Sequence, residues 1–473
     1  MKFGLEENII EEITRVLEEQ PKVEKAYIFG SRAKGNYRPD SDIDIALKGY
    51  DLTVEDILKI SAAIDKQNLG YEVDWVDYKN VKEQALREHI DRIGIPLYDD
   101  KIDYKIEDLA IFLNEKRVPL SSMERNKKKG IYPYYGASGI VDYIDEYVFN
   151  GEYVLISEDG ENLKTRQTPI AFIATGKFWV NNHAHIVKGN KSFINKLLVY
   201  CFENLDLTPY LTGAVQPKLN KSTLASIPIR IPKRESDQIA IVNTLGSLDD
   251  KIDLLHRQNK TLESMSDTLF RQWFVEEAKE DWEEKTLDEC IFFDPREKIN
   301  RNVLRQFFEM KCLSNTDMNI AQSELRMVTS GSVFRNGDTL LAKITPCLEN
   351  GKTGFVMQLD DNEVAMGSTE FIVMRSRGSV SPYWIYCLAR SEDFRDNAIL
   401  SMTGTSGRQR VQLGLLKSIK VKVNNSVMKS FHQMILPIFA KIKSNQNQIH
   451  SLVALRDTLL PKLLSGEARV KMP

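Results

Sequence analysis

"YLTGAVQPKLNKSTLASIPIRIP" at residues 210–232 is echoed by "SMTGTSGRQRVQLGLLKSIKVKV" at 401–423. A second pair keeps step with the first: "MSDTLFRQWF" (265–274) and "LRDTLLPKLL" (455–464). Gly213 and Gly404 are 191 residues apart, and Asp267 and Asp457 are 190 apart. Two unrelated landmarks with offsets that agree to within one residue mark an internal repeat. Residues 101–473 therefore read as two copies of one plan, a β-rich domain followed by a long helix. The β-rich texture, short strands punctuated by Gly, Asn and Pro, covers 101–233 and 281–424. The helical texture covers 235–278 and 426–465.

Both helices carry heptad-like stripes. The first has Leu245, Leu248, Ile252, Leu255, Asn259, Leu262, Met265, Leu269 and Trp273. The second has Phe431, Ile435, Ile438, Ile442, Asn445, Ile449, Leu452, Leu455 and Leu459. Steps of three and four put each set on one side of a helix. Asn259 and Asn445 interrupt the two stripes, and a polar residue there sets register at a cost in stability. Pro437 lies inside the second pattern and is expected to kink it or mark a late start.

The bulk composition is that of a multidomain globular chain: 473 residues, 42% hydrophobic and 28% charged. No run of about 20 apolar residues is present, so no membrane span is expected. The acidic amphipathic start, "MKFGLEENIIEEITRVLEEQ", is not a signal peptide. Cys201, Cys290, Cys312, Cys347 and Cys387 are scattered, with no CxxC, so neither zinc site nor disulfide framework is indicated and reduced thiols in the cytoplasm are expected. Residues 1–100 hold 14 basic against 22 acidic side chains, a net of −8 against −3 for the whole chain, which leaves +5 for residues 101–473. A DNA-binding surface is thus not expected at the N-terminus.

The segment from 101 to 465 resembles the DNA-specificity subunit of type I restriction–modification enzymes. The resemblance rests on "YYGASGIVDYIDEYVFNGEYVLISEDGEN" (134–162), "NNHAHIVKG" (181–189), "TGAVQPKLNKSTLASIPIRIP" (212–232) and "DQIAIVNTLGSLDDKIDLLHRQNKTLESMSDTLFRQWF" (237–274). It implies two target-recognition domains, 101–233 and 281–424. It also implies two spacer helices, 235–278 and 426–465, in an antiparallel coiled coil. The implied partners are double-stranded DNA, methyltransferase subunits and a restriction subunit. About 40 helical residues span roughly 60 Å, enough to hold two domains over major-groove sites one or more turns of about 34 Å apart. The target should therefore be bipartite, with an unread gap. Candidate DNA contacts are Lys127, Lys128, Lys129, Lys164, Arg166, Lys177, Lys218 and Lys221 in the first copy. In the second they are Lys343, Lys352, Arg408, Gln409 and Arg410. His183 and His185 alternate on a strand but read as scaffold rather than as a metal pair. No cofactor loop, catalytic motif or P-loop occurs in 101–473, so this part binds no cofactor and its chemistry must come from partners.

Residues 1–98 read differently, as a small α/β unit. A helix runs to about Glu19, followed by strands at "KAYIFGS", "SDIDIALKG" and "YEVDWVD", a helix at about 53–67, and a closing helix "VKEQALREHIDRIG". Gly30-Ser31 followed by Asp42-x-Asp44 resembles the minimal nucleotidyltransferase branch of the DNA polymerase beta superfamily. Alternate residues on a strand share a face, so Asp42 and Asp44 can converge on Mg²⁺. Asp74 is the third carboxylate by the same resemblance, which gives it a part in deprotonating the attacking hydroxyl. Gly30 and Ser31 are the phosphate-holding turn, with Arg32 and Lys34 as charge partners. The resemblance implies Mg²⁺ and a nucleoside triphosphate as cofactors. It also implies an alternative function, an antitoxin-like enzyme that modifies a toxin-like partner protein and is localised by the DNA-binding part. The expected fold class is multidomain α+β, with an abrupt join at "LYDDKIDYK" (97–105).

Overall fold

The computed structural model describes residues 2–213, 216–297, 299, 303–321, 323–327, 330–405 and 407–470. The chain packs into two compact units. The first is Met1–Leu248 with Leu455–Pro473, and the second is Asp249–Ala454.

Within the first unit, the N-terminal domain is built on β1 (Val23–Ile28), β2 (Ile43–Gly49), β3 (Val73–Asp77) and β4 (Ile95–Asp99), in the order β3-β2-β1-β4. β1 is antiparallel to β2 and β4, while β2 and β3 are parallel. Alternation along β2 divides the sheet into two faces. Ile43, Ile45 and Leu47 are buried with Ile13 and Leu17 of α1 (Glu7–Glu18) and with Ile60 and Ile64 from the helix Val54–Asp65. Ala46 and Phe29 meet Ile90 of the helix Gln84–Ile93 on the other face. Asp44, two residues before Ala46, belongs to that second face. The fourth strand has no signal in the sequence beyond "GIPLYDD", where Pro96 masks it. Its edge position is where a missing backbone N–H is tolerated.

β5 (Lys101–Lys105) pairs with β12 (Pro228–Pro232) at the base of the first β-rich domain. The strands between them are β6 (Ala110–Phe112), β7 (Lys129–Gly136), β8 (Gly139–Ile144), β9 (Phe149–Ser157), β10 (Ala171–Val180) and β11 (Ala184–Gly189). They form one sheet, β6-β11-β9-β10-β7-β8.

The second unit repeats this topology. β13 (Glu283–Thr286) pairs with β22 (Lys420–Val423) as β5 does with β12. β14 (Ile291–Phe293), β18 (Thr339–Ala342), β19 (Thr353–Phe355) and β21 (Phe371–Ser376) form a sheet in the order β14-β21-β18-β19, matching β6-β11-β9-β10. β15 (Leu304–Phe308) runs parallel to β20 (Val364–Gly367), as β7 runs parallel to the end of β10. β16 (Glu324–Met327) is antiparallel to β15, as β8 is to β7. The second copy differs in that the role of the long β10 is shared by β19 and β20, and β17 (Ser332–Arg335) adds an edge strand. The result is two smaller sheets where the first copy has one.

The two long helices are Glu235–Arg271, ending in a π-helical turn Gln272–Glu276, and Asn425–Ser465. Inside the second unit they run antiparallel. Asn445 Nδ2 donates to Asn259 Oδ1 at 2.8 Å, both residues being buried. Fourteen residues further along one helix and fourteen back along the other, the rings of Trp273 and Phe431 meet at 6.0 Å. Inside the first unit, Ile241 and Leu245 cluster with Leu460 and Leu463. Pro437 does not start the second helix, which is continuous through it. The residue is exposed, so the carbonyl it leaves unbonded faces water.

Candidate functional site

In the N-terminal domain, β2 and β3 are in register such that Asp44 is paired with Asp74. Asp42 lies just before β2 and is exposed, as is Asp74, while Asp44 is half-buried. Burial, and then the neighbouring Asp74 and Asp42 charges, raise the Asp44 carboxyl above its ordinary range. Gly30 takes a left-handed φ of +67°, and a Cβ there would lie 2.0 Å from Asp44 Oδ2. Only glycine fits this close approach.

The donors at this site are hard carboxylate oxygens with an excess of negative charge, which is the chemistry a divalent cation such as Mg²⁺ takes. They fit in kind but are not closed on one point, since among the described residues no three His, Cys, Asp or Glu side chains are gathered for a metal ion.

Arg32 requires a correction. It is 2% exposed and cannot present its charge to a phosphate. Its guanidinium donates to the carbonyls of Ser41 (3.1 Å), Asp42 (3.0 Å) and Phe3 (3.2 Å). It also lies over the ring of Tyr71, at 4.8 Å. Arg32 therefore fixes the loop that delivers Asp42. Lys34 is exposed and Ser31 is half-buried on the short helix Gly30–Lys34, which the sequence suggested only as a turn. His89 was not anticipated: it projects from the helix Gln84–Ile93, where burial and the charges of Lys34 and Arg92 lower its pKa and Asp44 opposes them.

The repeated Thr-Gly loop has the same form in both β-rich domains. In the first, Thr212 and Lys218 exchange backbone hydrogen bonds at 2.8 Å, and Lys218 also bridges to Asp159. In the second, Thr403 and Arg410 do the same at 3.0 and 2.9 Å, and Arg410 bridges to Ile344. Gly213 and Gly404 have φ of +86° and +134°, which the turn requires. The basic residue closing each loop faces a carboxylate, with Lys218 3.4 Å from Glu158 and Arg410 2.8 Å from Glu370. Ala214, Val215 and Ser406 of these loops lie outside the described residues.

The remaining basic candidates divide by what holds them. Lys127, Lys164 and Arg408 are exposed. Lys128 and Lys129 make surface ion pairs with Glu146 and Asp142, both at 2.6 Å, which are weak and exchangeable for a phosphate. Lys177 lies over Tyr147 at 4.7 Å and Lys221 over Phe112 at 5.8 Å. Lys343 lies near enough to Glu370 to lower its pKa, and the Gln409 N–H donates to Thr345 Oγ1 at 3.1 Å.

Arg166 is exposed and Lys352 is half-buried, and each is engaged by backbone carbonyls. Arg166 donates to the carbonyls of Phe202 (3.0 Å) and Glu203 (3.1 Å), and Lys352 to that of Met310 (2.8 Å). Both cations satisfy backbone acceptors of their own domain. His185 is buried against Asn114 (2.8 Å) and the Leu219 carbonyl (2.7 Å), and His183 contacts Asp159 at 2.9 Å. His185 is thus enclosed in the domain, while His183 stays exposed. The five cysteines are free thiols, and among the described residues no helix is long and apolar enough to cross a membrane.

Comparison with known proteins agrees with this division of the chain. Residues 98–264 match the family described as the type I restriction modification DNA specificity domain, and residues 11–103 match polymerase beta nucleotidyltransferase. A Haemophilus influenzae protein named for the type I restriction enzyme specificity subunits is 39% identical over 153 residues, 32% of this chain and 38% of that protein. The MjaIX specificity subunit of Methanocaldococcus jannaschii is 24% identical over 393 residues, 72% of this chain and 88% of that subunit. A solved type I restriction–modification S subunit from M. genitalium shares the fold with a TM-score of 0.50 at 14% identity, over 79% of this chain and 97% of that one. By domain content, then, residues 98–264 carry a type I restriction modification DNA specificity domain, and residues 11–103 carry a polymerase-beta-type nucleotidyltransferase domain.

Proposed function

We propose that the chain selects a bipartite DNA target for a type I restriction–modification assembly, each β-rich domain reading one half-site. Partner subunits then carry out adenine methylation and restriction. The observation that carries this reading is the duplication itself: two domains that share a common strand order, each with a Thr-Gly loop closed by a basic residue and each followed by a long helix. A loop of the same form in both copies suits a contact common to any DNA, namely phosphate. The exposed Lys127, Lys164 and Arg408, and the exchangeable Lys128, Lys129, Lys218 and Arg410, are the residues assigned to it. Lys177, Lys221, Lys343 and Gln409 line the same domains as further candidates. The test is the pattern of DNA methylation in a host that carries this chain with its methyltransferase subunit.

One observation favours a second activity in the N-terminal domain, the Asp44–Asp74 register beside the glycine cradle at Gly30. Asp42, Asp44 and Asp74 would hold Mg²⁺, which supplies charge neutralisation to the phosphates of a bound nucleoside triphosphate. Ser31 and Lys34 would bind the phosphate tail, and Asp74 would take the proton of an attacking hydroxyl on a partner protein. Incubation with labelled nucleoside triphosphates, Mg²⁺ and candidate partners should transfer label. Asp44→Ala should reduce transfer by at least about a hundredfold if the site is a metal-dependent catalyst. A wild-type protein that labels no partner would leave the domain a docking or regulatory element.

A further inference from the structure

The abrupt join in the sequence leaves no flexible linker. β4 ends at Asp99 and β5 begins at Lys101, so a single residue, Asp100, separates the N-terminal sheet from the specificity domain. Asp100 is 5% exposed and ties three distant segments together. Its N–H donates to the Glu24 carbonyl at 2.8 Å, and its own carbonyl accepts from the Lys233 N–H at 2.7 Å. Its carboxylate is bound by Arg469, which lies beyond the end of the second long helix.

Arg469 also donates to the Pro21 carbonyl, and its Nε lies 3.5 Å from Glu24 Oε1. Neighbouring cations reinforce the contact from the specificity side. Arg234 Nη2 donates to the Pro21 carbonyl at 3.0 Å, and Lys233 Nζ lies 3.3 Å from Glu18 Oε1. Arg230 Nη2 meets Asp99 Oδ2 at 2.6 Å.

We propose that Arg469 is a latch that locks the N-terminal domain to the end of the second long helix, so that the domain and the helix end move as one piece. This goes beyond the DNA-reading function. The charge arrangement explains why one residue suffices. Asp100 and Glu24 repel one another in a partly buried place, where burial raises both their pKa values; of the two cations that face both, Arg469 and Lys101, Arg469 acts the more strongly on each. Without it two carboxylates remain with their main compensation gone.

The test uses the full chain, comparing wild type, Arg469→Ala and Arg469→Lys by limited proteolysis and by amide exchange of residues 95–105. Loss of a partner to a buried charge should speed cleavage at the 99–101 junction by on the order of a hundredfold in the alanine variant. Lysine keeps the charge but cannot bridge Asp100, Glu24 and Pro21 at once, so its junction should be intermediate. Exchange in residues 283–423 should be unchanged in both. If the alanine chain is recovered only as aggregate, the lysine variant alone decides. Junction protection equal to wild type in either variant would overturn the latch, and so would opening that extends equally through 283–423. Neither result bears on target recognition, which the methylation pattern reports separately.

Discussion

Removal of residues 249–255 together with 449–455 is expected to yield a protein that recognises the same two half-sites with an unread gap about three base pairs shorter. The two segments are matched heptads, placed by the antiparallel pairing of Asn259 with Asn445 and of Trp273 with Phe431. Deleting seven residues keeps the apolar stripes in phase. It shortens a helix by about 10 Å, roughly three steps of a DNA strand at about 3.4 Å each.

Removing 249–255 alone should behave differently. The two helices then lose their match in length, and any slip of the pairing by two turns separates the buried Asn259 and Asn445. An unsatisfied buried amide costs about 1–3 kcal/mol, and two are created. That variant should lose split-site recognition altogether. Methylation mapping of both variants distinguishes the cases, and an unaltered gap in the double deletion would show that helix length does not set spacing.

The second large effect is electrostatic. Glu263 projects from the first long helix into the second β-rich domain, is 9% exposed, and accepts from the Met318 N–H at 2.9 Å and the Tyr386 hydroxyl at 3.3 Å. Burial, aided by the nearby Asp317 charge, pushes its pKa from 4.5 to about 7, while the Met318 N–H, Arg390 and Tyr386 pull the other way. A carboxyl whose folded pKa is raised contributes stability that is full below the unfolded value and is lost as pH rises through the folded one. The second unit should therefore weaken between about pH 4.5 and pH 7, with a limit of about 3 kcal/mol above that range. Glutamine keeps an acceptor for Met318 and Tyr386 without the charge. Urea unfolding of Glu263→Gln at pH 8 should thus show a gain approaching about 3 kcal/mol, with little change at pH 4.5. Asp267, on the same helix and also raised by burial, adds a slope of the same sign. A variant with the same pH slope as wild type would place the penalty elsewhere.

What the sequence disclosed and what it hid follow from the range of the interactions. The Thr-Gly loops, the heptad stripes and the Asp42-x-Asp44 alternation are local patterns, and each corresponds to a local structure: a bridged turn, a helix face, the start of a strand. The fates of individual cations were not local. Nothing in "GSRAKG" distinguishes Arg32, turned inward to the carbonyls of Phe3, Ser41 and Asp42, from Lys34, which stays in water. Arg166 is taken up by carbonyls of Phe202 and Glu203, more than thirty residues away, and Lys352 by Met310. Glu263 is absent from the apolar stripe because it lies on the helix side that meets the second β-rich domain, at Met318 and Tyr386. Asp100 looked like one acid in an acidic join. Its role depends on Arg469, at the far end of the chain.

The measurement that bears most directly on the account is single-molecule methylome sequencing of a host expressing the wild-type chain with its methyltransferase subunit. Methylated adenines confined to one motif of two short defined halves, separated by a fixed number of unspecified bases, is the predicted outcome. Methylation at a single uninterrupted motif, or at halves separated by variable gaps, would contradict two reading heads held at a set distance.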